Sequence, residues 1–434
     1  MAHLRSLVFA ALTAAVSVWS AATSAGTISP EDHIAVAPDV AVNAAGDIAV
    51  LWVDRSPELS GEHENHDRHL AYTDLYVAIS RDGGATFAAP VKINHDSGVV
   101  WGQSVSRPRI VGDAAGTWHV TYAANEIHED FGKPALTMHY TRSTDGPQSF
   151  EAPRRLSTLT DADMSEIIHG GFMSAAAFQT IAAAPNGDVR VFWLDTRHMS
   201  PDLETGAMYT AVSKDGGATF SENVELMESK ACPCCQFMAA ADAGSNVFVG
   251  YRHVHDGNIR QSTIRRIDAE TGEIGPIVDA GSAPWEIAGC PLKPTVLATR
   301  ENAVYTAVYS GGEEVPGVYF SYSTDGGQSF ARSTATHAEA LVSDAPSIAV
   351  NADQVVVAWH AKTDKSRQVF IRTYGLDGQA AGGVMAISDG ASSATGPVVA
   401  TREDGSFQIV WEQDDRVYTK VLTGTSGEIQ IGSR

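Results

Sequence analysis

The stretch SRDGGATF (residues 80–87) returns three times in this chain, as STDGPQSF (143–150), SKDGGATF (213–220) and STDGGQSF (323–330). Each copy begins with Ser, carries Asp two residues later and Gly after it, and ends in a hydroxyl residue followed by Phe. An Asp carboxylate can accept backbone N–H bonds inside its own turn, and Gly supplies a positive φ. The pattern predicts a tight turn between two strands, with the Phe ring packed between neighbouring sheets. Its repetition predicts an array of similar units.

The four copies resemble the Asp box, also called the BNR repeat, of the sialidase-like β-propellers. This resemblance implies a fold before it implies an activity. Asp boxes occur on sialidases, on other glycosidases, and on receptors and structural modules without catalysis. Function therefore has to be argued from a site.

A longer unit surrounds each copy. In the first unit, PDVAVNAAGDIAVLWVD (38–54) predicts two strands joined by a turn, and DLYVAIS (74–80) predicts a third strand that leads into the copy. Short runs of this kind, with alternating apolar and polar residues, are typical of strands. Seven units of four strands are expected, with degenerate boxes in the fourth, sixth and seventh. The chain is predicted to be all-β, a β-propeller of four-stranded antiparallel blades; six blades with an appended hairpin pair is the alternative.

The N-terminus has the features of a signal peptide. A short basic start ending at Arg5 is followed by an apolar stretch (7–22) and then by small residues. Residues 1–25 are interpreted as the signal peptide, with cleavage after Ala22 or Ala25, and an uncleaved membrane anchor is the alternative. Residues 26–434 are expected to form a single propeller domain without a membrane span, located in a periplasm or secreted.

The formal net charge of -22 argues against nucleic acid as a partner, because phosphate contacts require a basic face. An acidic chain also disfavours anionic substrates unless arginines are gathered locally. The four cysteines are few for a disulfide scaffold, but they are clustered.

The boxes also predict which loops share a face. In a four-stranded blade, the turn that carries the box lies opposite the loop between the second and third strands and opposite the connector to the next blade. All four cysteines and most histidines fall in those loops and connectors. A functional site is expected on that face, near the central axis.

The cysteines form the first candidate site. Cys232, Cys234 and Cys235 lie in CPCC, in the connector into the fourth unit, and Cys290 lies in the equivalent connector into the fifth. Equivalent positions in adjacent blades are neighbours, which brings Cys290 near Cys234 or Cys235. Disulfide bonding is one interpretation, since an exported chain meets an oxidising compartment. A soft-metal site for copper, or for zinc, is the other.

Histidine and methionine side chains are candidate partners of the cysteines as metal ligands. They are His169, Met173, His253 and His255. The HxH pattern of the last two places both imidazoles on the same side if the chain is extended. A further histidine cluster, His63, His66 and His69, falls in the long first loop.

The resemblance to sialidases implies a second candidate site, in which three arginines hold a substrate carboxylate. Candidates that follow the second strand of their units are Arg55, Arg197 and Arg252, with Asp54 and Asp195 as candidate carboxylates. The alternative for both carboxylates is a structural Asp that ends its strand. The family's aromatic-Arg-Ile-Pro run before the first box is absent, and the nearest string is RPRI (107–110).

Two functional hypotheses follow. The first is an exported, non-sialidase binding protein that carries a transition metal, copper by preference, or a partner in the cell envelope. The second is an exo-acting, sialidase-like glycosidase with a rearranged arginine pocket and a glycan ligand.

Overall fold

A computed structural model describes residues 26–55, 73–128, 133–143, 149–158, 160, 163, 176–197, 205–337, 343–424 and 430–432. The interpreted signal peptide, and the first loop with His63, His66 and His69, lie outside the described residues. Within the described ranges, no helix is both long enough and apolar enough to span a bilayer.

The named elements of the described residues are all strands. The first strand, β1 (Gly26–Thr27), belongs to the last sheet. The next nine strands form one sheet: β2 (Ile34–Val42), β3 (Ile48–Arg55), β4 (Thr73–Ser80), β5 (Val91–Lys92), β6 (Val100–Trp101), β7 (Arg109–Gly112), β8 (Trp118–His128), β9 (Lys133–Ser143) and β10 (Arg154–Arg155). An eight-stranded sheet follows: β11 (Ala176–Ala183), β12 (Val189–Asp195), β13 (Gly206–Ser213), β14 (Val224–Ala231), β15 (Met238–Ala241), β16 (Val247–His255), β17 (Ile259–Ile267) and β18 (Val278–Asp279).

Three smaller sheets complete the described part of the chain. Two have four strands each: β19 (Thr295–Arg300), β20 (Ala303–Ser310), β21 (Gly317–Ser323) and β22 (Thr334–Ala335), then β23 (Ser343–Val350), β24 (Gln354–Lys362), β25 (Arg367–Gly375) and β26 (Met385–Ala386). The last joins β27 (Ala394–Thr401), β28 (Phe407–Gln413), β29 (Arg416–Thr423) and β30 (Gln430–Gly432) to β1.

The sheets are built from successive antiparallel runs of four strands. The nine-stranded sheet contains two such runs, joined because β6 pairs with both β4 and β8. The eight-stranded sheet also contains two, joined by a single pairing of β14 with β16. The prediction of an all-β fold made of four-stranded antiparallel sheets is thus confirmed.

The first strands of these runs contact one another in a ring. In order, the contacts run β2, β7, β11, β15, β19, β23 and β27, and β27 contacts β2 again. The core lies between neighbouring sheets, where large second-strand side chains are fully buried: Trp52, Trp193, Trp359 and Trp411. The strands therefore radiate from a central axis, as in a propeller. The blade count remains a prediction.

The third Asp box shows the predicted turn. Asp215 Oδ1 accepts a hydrogen bond from the backbone N–H of Thr219 at 2.8 Å, and Oδ2 accepts one from the Thr219 hydroxyl at 2.6 Å. Ser213 Oγ donates to Asp215 at 2.7 Å and accepts from the Gly217 N–H at 2.7 Å. The same bonds recur in the boxes that begin at Ser80 and Ser323. The central part of the second box lies outside the described residues.

Each described box also contacts the preceding sheet run. The Phe220 ring lies edge-on to Tyr140, with ring centroids 4.7 Å apart, and Arg142 donates to the Gly216 carbonyl at 2.6 Å. In the first box, Arg402 of the last sheet donates to the Gly83 carbonyl. In the fourth box, a Cβ added at Gly327 would lie 2.9 Å from the Phe248 ring. The boxes therefore hold neighbouring runs together, and the packing predicted for the closing Phe is observed.

We expect Gly217→Ala to be more destabilising than Gly216→Ala. Both glycines have positive φ, 83° and 64°, so Ala costs about 1–2 kcal/mol at either position. At Gly217 the added Cβ would lie 1.8 Å from the Tyr140 hydroxyl, whereas at Gly216 nothing lies within 4 Å. The clash should add about 1–3 kcal/mol to the loss at Gly217. Urea unfolding of both variants measures the difference, and equal losses would contradict the docking of the box on the preceding run.

The boxes should also make stability depend on acidity. Hydrogen bonds from Ser323 and Ser329 lower the pKa of Asp325 from 3.8 to about 2. A carboxylate with a lowered pKa stabilises the fold above its unfolded pKa, and this contribution is lost as the pH falls toward about 2. The free energy of unfolding should therefore fall less steeply over this interval in Asp325→Asn than in the wild type. Denaturant titrations at several pH values measure this, and an equally steep fall of the free energy of unfolding in both proteins would refute the prediction.

Candidate metal centre

A tight turn after β14 gathers three cysteine side chains. The Cys232 N–H donates to the Arg252 carbonyl at 2.9 Å, and the chain turns within four residues before it enters β15. The Sγ atoms of Cys232 and Cys234 are 3.8 Å apart, and those of Cys232 and Cys235 are 3.5 Å apart. All three sulfur atoms lie within 4.8 Å of one another, and the residues are 0, 8 and 0 % exposed. The result is a compact, buried sulfur cluster.

Cys290 lies beside this cluster, in the connector into β19. The backbone N–H of Lys293, three residues further on, donates to Cys235 Sγ, and Cys290 itself is exposed. The sulfur atoms that all lie within 4.8 Å of one another are those of Cys232, Cys234 and Cys235, without Cys290. All four cysteines are free thiols in the structure.

Two further groups contact the sulfurs. Arg260, only 1 % exposed, donates from Nη1 to Cys232 Sγ at 3.3 Å. The backbone N–H of Lys293 donates to Cys235 Sγ at 3.4 Å. Lys293 follows Leu292, whose φ of 57° lies in the left-handed region that non-glycine residues rarely adopt. Such backbone strain is often found at functional sites.

The cluster favours one thiolate surrounded by thiols. Hydrogen bonds from the other three cysteines, and then from Arg260, hold the pKa of Cys232 far below its usual value. Burial raises the pKa of Cys235 to about 12, and the hydrogen bond with Cys232 raises the pKa values of Cys234 and Cys290. The Arg260 guanidinium lies beside the Cys232 sulfur, where it favours the thiolate form.

The sulfur spacing fits a metal ion. Tetrahedral zinc with Zn–S bonds of about 2.3 Å places its sulfur ligands about 3.8 Å apart. The two measured sulfur separations, 3.8 and 3.5 Å, are close to this value. Thiolates are soft ligands, which suit copper(I) or zinc. The chemistry and spacing of the donors thus allow an ion to bind with little rearrangement.

His253 and His255 lie on the face of β16 that is turned away from the sulfur cluster. Residues opposite each other in an antiparallel pair share a face, and β16 pairs Val254 with Arg260 but His253 with Gln261. Since Arg260 contacts Cys232, His253 and His255 face away from the sulfurs. The group of candidate ligands found within the described ranges accordingly contains the three cysteines and no histidine. His169 and Met173 lie outside the described residues.

The two imidazoles are nevertheless close to each other. Their ring centroids are 4.4 Å apart in an edge-on arrangement, which agrees with an extended HxH pattern. His253 is 5 % exposed, and burial, followed by the charge of His255, lowers its pKa to about 4. His253 is therefore a neutral imidazole at neutral pH.

The two candidate carboxylates of a glycosidase end their strands. Trp52 Nε1 donates to Asp54 at 3.4 Å, and Trp193 Nε1 donates to Asp195 at 3.1 Å. In the last sheet, Trp411 donates in the same way to Gln413 at 3.0 Å. This recurrence, with Gln in place of Asp, favours the structural interpretation of the W-x-D pattern.

The candidate arginines have different surroundings. Arg197 forms a two-pronged ion pair with Asp195, at 2.9 and 2.7 Å, above the Tyr209 ring. Arg252 donates to the backbone carbonyls of Arg260 and Tyr309, both at 2.9 Å. Arg55 is exposed at the end of β3. Two of the three guanidinium groups therefore bind protein oxygens rather than facing a pocket unpaired.

A cavity of about 100 Å³ lies where the first strands begin, and its lining includes Arg107, Gln236, Leu292, Asp344, His360 and Pro397. Arg107 donates to the carbonyls of Pro38 and Gly396, which joins the first, second and last runs. Burial lowers its pKa to about 10, so it stays charged. Gln236 follows Cys235 and Leu292 lies two residues after Cys290, so both segments that carry the cysteines contribute to the lining of this cavity.

Sequence patterns did not identify Arg260 or Lys293 as part of the site. Arg260 is not part of a sequence motif, because its position beside Cys232 depends on the strand pairing of Arg260 with Val254. The only sequence signal for Lys293 is its proximity to Cys290.

We expect Asp195→Ala to destabilise the protein by about 3–5 kcal/mol, since it leaves Arg197 without its partner. The two side chains are 0 % and 10 % exposed. Arg55, exposed at the end of β3, provides a control, and Arg55→Ala should change the free energy of unfolding by less than about 0.5 kcal/mol. Denaturant unfolding measures both. A stable Asp195→Ala variant would contradict the structural role.

Comparisons with known proteins place the fold. No protein-family model matches the chain, and no curated protein matches it by sequence. It is similar to a PL25 ulvan lyase, a polysaccharide lyase, at a TM-score of 0.54 and 14% identity, over 93% of this chain and 96% of that one. It is also similar to a Dyadobacter fermentans protein of unknown function, at a TM-score of 0.52 and 14% identity, over 90% and 95%. An intramolecular trans-sialidase from Ruminococcus gnavus aligns at a TM-score of 0.47 and 11% identity, over 88% and 93%. At the level of fold, the chain is similar to the PL25 ulvan lyase and to the Dyadobacter fermentans protein.

Proposed function

We propose that this protein is an exported, seven-bladed propeller that binds a soft transition-metal ion, copper(I) in preference to zinc. The proposed ligands are Cys232, Cys234, Cys235 and Cys290. One observation carries the proposal: three buried sulfur atoms lie within 4.8 Å of one another, at separations that suit a bound ion.

Burial of the sulfurs supports a metal rather than an unused thiol group. Free cysteines pack as small apolar residues, but here a buried guanidinium and a backbone N–H are both directed at sulfur atoms. Outer partners of this kind orient ligands and stabilise their anionic form. A disulfide requires a sulfur separation of about 2.05 Å, shorter than the 3.8 and 3.5 Å that separate Cys232 Sγ from the sulfurs of Cys234 and Cys235.

The charge of the buried cluster supports copper(I) over zinc. Metal binding requires thiolates, and each thiolate adds a negative charge that burial disfavours. A monovalent ion reaches a net charge of -1 with two thiolates, whereas a divalent ion needs three. The positive charge of Arg260 offsets that net charge in either case.

The site lies on the connector face, which suits a binding role in the cell envelope with an envelope protein as a partner. The glycosidase hypothesis has weaker support, because Arg197 and Arg252 already bind protein oxygens.

Metal binding is tested by anaerobic titration of the fully reduced protein with copper(I), followed by metal analysis after gel filtration. We expect near-stoichiometric copper in the wild type. Cys235→Ser should weaken binding at least about tenfold, since even an outer partner of a metal ligand contributes that much. A parallel titration with zinc establishes the preference.

The double variant His253→Ala/His255→Ala is the matched control. It alters two candidate ligand residues of β16 that face away from the sulfurs, so its copper content should equal that of the wild type. A wild-type protein that retains no copper or zinc, with its cysteines paired as disulfides after purification from its native compartment, would refute the proposal.

A further inference from the structure

The four sulfur atoms differ sharply in their access to solvent. Cys232 and Cys235 are 0 % exposed and Cys234 is 8 % exposed, while Cys290 is exposed. The connector that carries Cys290 contacts the cluster, since the Lys293 N–H donates to Cys235 Sγ at 3.4 Å. Cys290 is thus the exposed cysteine beside a buried group of three.

The chain around Cys290 is fixed on both sides of that residue. Upstream, the Ile287 N–H donates to the Asn258 carbonyl at 3.1 Å. Downstream, Lys293 donates to Cys235 Sγ and pairs through its ammonium with Asp344. Between these anchors, Cys290 lies outside any strand. Its sulfur can therefore move away from the cluster while both anchors stay in place.

The surface beside Cys290 is open and apolar. A Cβ added at Gly289 would meet no atom within 4 Å, and Leu292 is 40 % exposed. Leu292 also lines the cavity of about 100 Å³ described above. An incoming sulfur ligand would find space and apolar contact there, in contrast to the closed positions of the other three cysteines.

We propose that Cys290 occupies an exchangeable coordination position, at which a thiol from outside the protein takes up the bound ion. This inference rests on the proposed metal site and adds a function to it, the hand-over of copper(I) to a thiol ligand. Structural metal sites are closed, whereas sites that react keep one position open to incoming ligands.

The hand-over is a ligand exchange. The incoming sulfur forms a bond to the ion as the bond between the ion and Cys290 Sγ breaks. The proton lost by the incoming thiol passes to the departing Cys290 thiolate. The oxidation state of the ion does not change, so no oxidant or reductant takes part.

Chemical rescue tests this proposal. Cys290→Ser and Cys235→Ser are each loaded with copper(I), and the number of sulfur ligands is measured by X-ray absorption before and after addition of free cysteine. Cys290→Ser should lose about one sulfur ligand and regain it with cysteine, because its position is open to solvent. Cys235→Ser should not regain its sulfur, because its position is buried. Rescue of both variants, or of neither, would overturn the proposal.

The wild type provides a second measurement that needs no substitution. Transfer of bound copper(I) to free cysteine, and to a short cysteine-containing peptide, is followed as a function of thiol concentration. The transfer rate should rise in proportion to the concentration of at least one acceptor. A response to free cysteine alone assigns the site to small thiols, and a response to the peptide assigns it to protein thiols. Rates independent of both acceptors would overturn the exchange, whereas absence of copper binding by the wild type would refute the proposed function itself.

Discussion

The contact between each described Asp box and the preceding sheet run is the constraint on which the rest of the structure depends. In the third box, the carbonyl of Gly216 accepts from Arg142, and Phe220 packs against Tyr140. These contacts set the position of one run relative to the next at the box end of the strands. Because strands are stiff, the connectors at the other end are positioned as well. At that end, the Lys293 N–H of one connector donates to Cys235 Sγ of the neighbouring connector.

The features of the fold that depend on local chemistry could be predicted from the sequence. The Ser, Asp, Gly and hydroxyl positions of the box form the bonds that their side chains suggest, because every partner lies within four residues. The degenerate fourth box retains part of this chemistry, since Asp268 accepts from the N–H and hydroxyl of Thr271. The convergence of the cysteines was also predictable, because equivalent connectors of adjacent units are neighbours.

The remainder of the site depends on pairing and orientation that no short pattern encodes. Which face His253 occupies relative to Cys232 follows from a strand register in which Val254 is opposite Arg260. A shift of one residue in that register would exchange the two faces. Sequence patterns likewise suggested that Arg197 and Arg252 face a pocket, but Arg197 pairs with Asp195, two residues away, and Arg252 donates to the distant Tyr309 carbonyl.

The pairing of β1 with β29 has a consequence for how the protein folds. Gly26 is opposite Thr419, and the Ile28 N–H donates to the Val417 carbonyl at 2.9 Å. The last sheet therefore cannot be completed until nearly the whole chain is available, and loop closure over such a separation is slow. Until then, β29 has an edge open to pairing with another chain. β1 and β30 both pair with β29, so the first and the last described strands complete the same sheet.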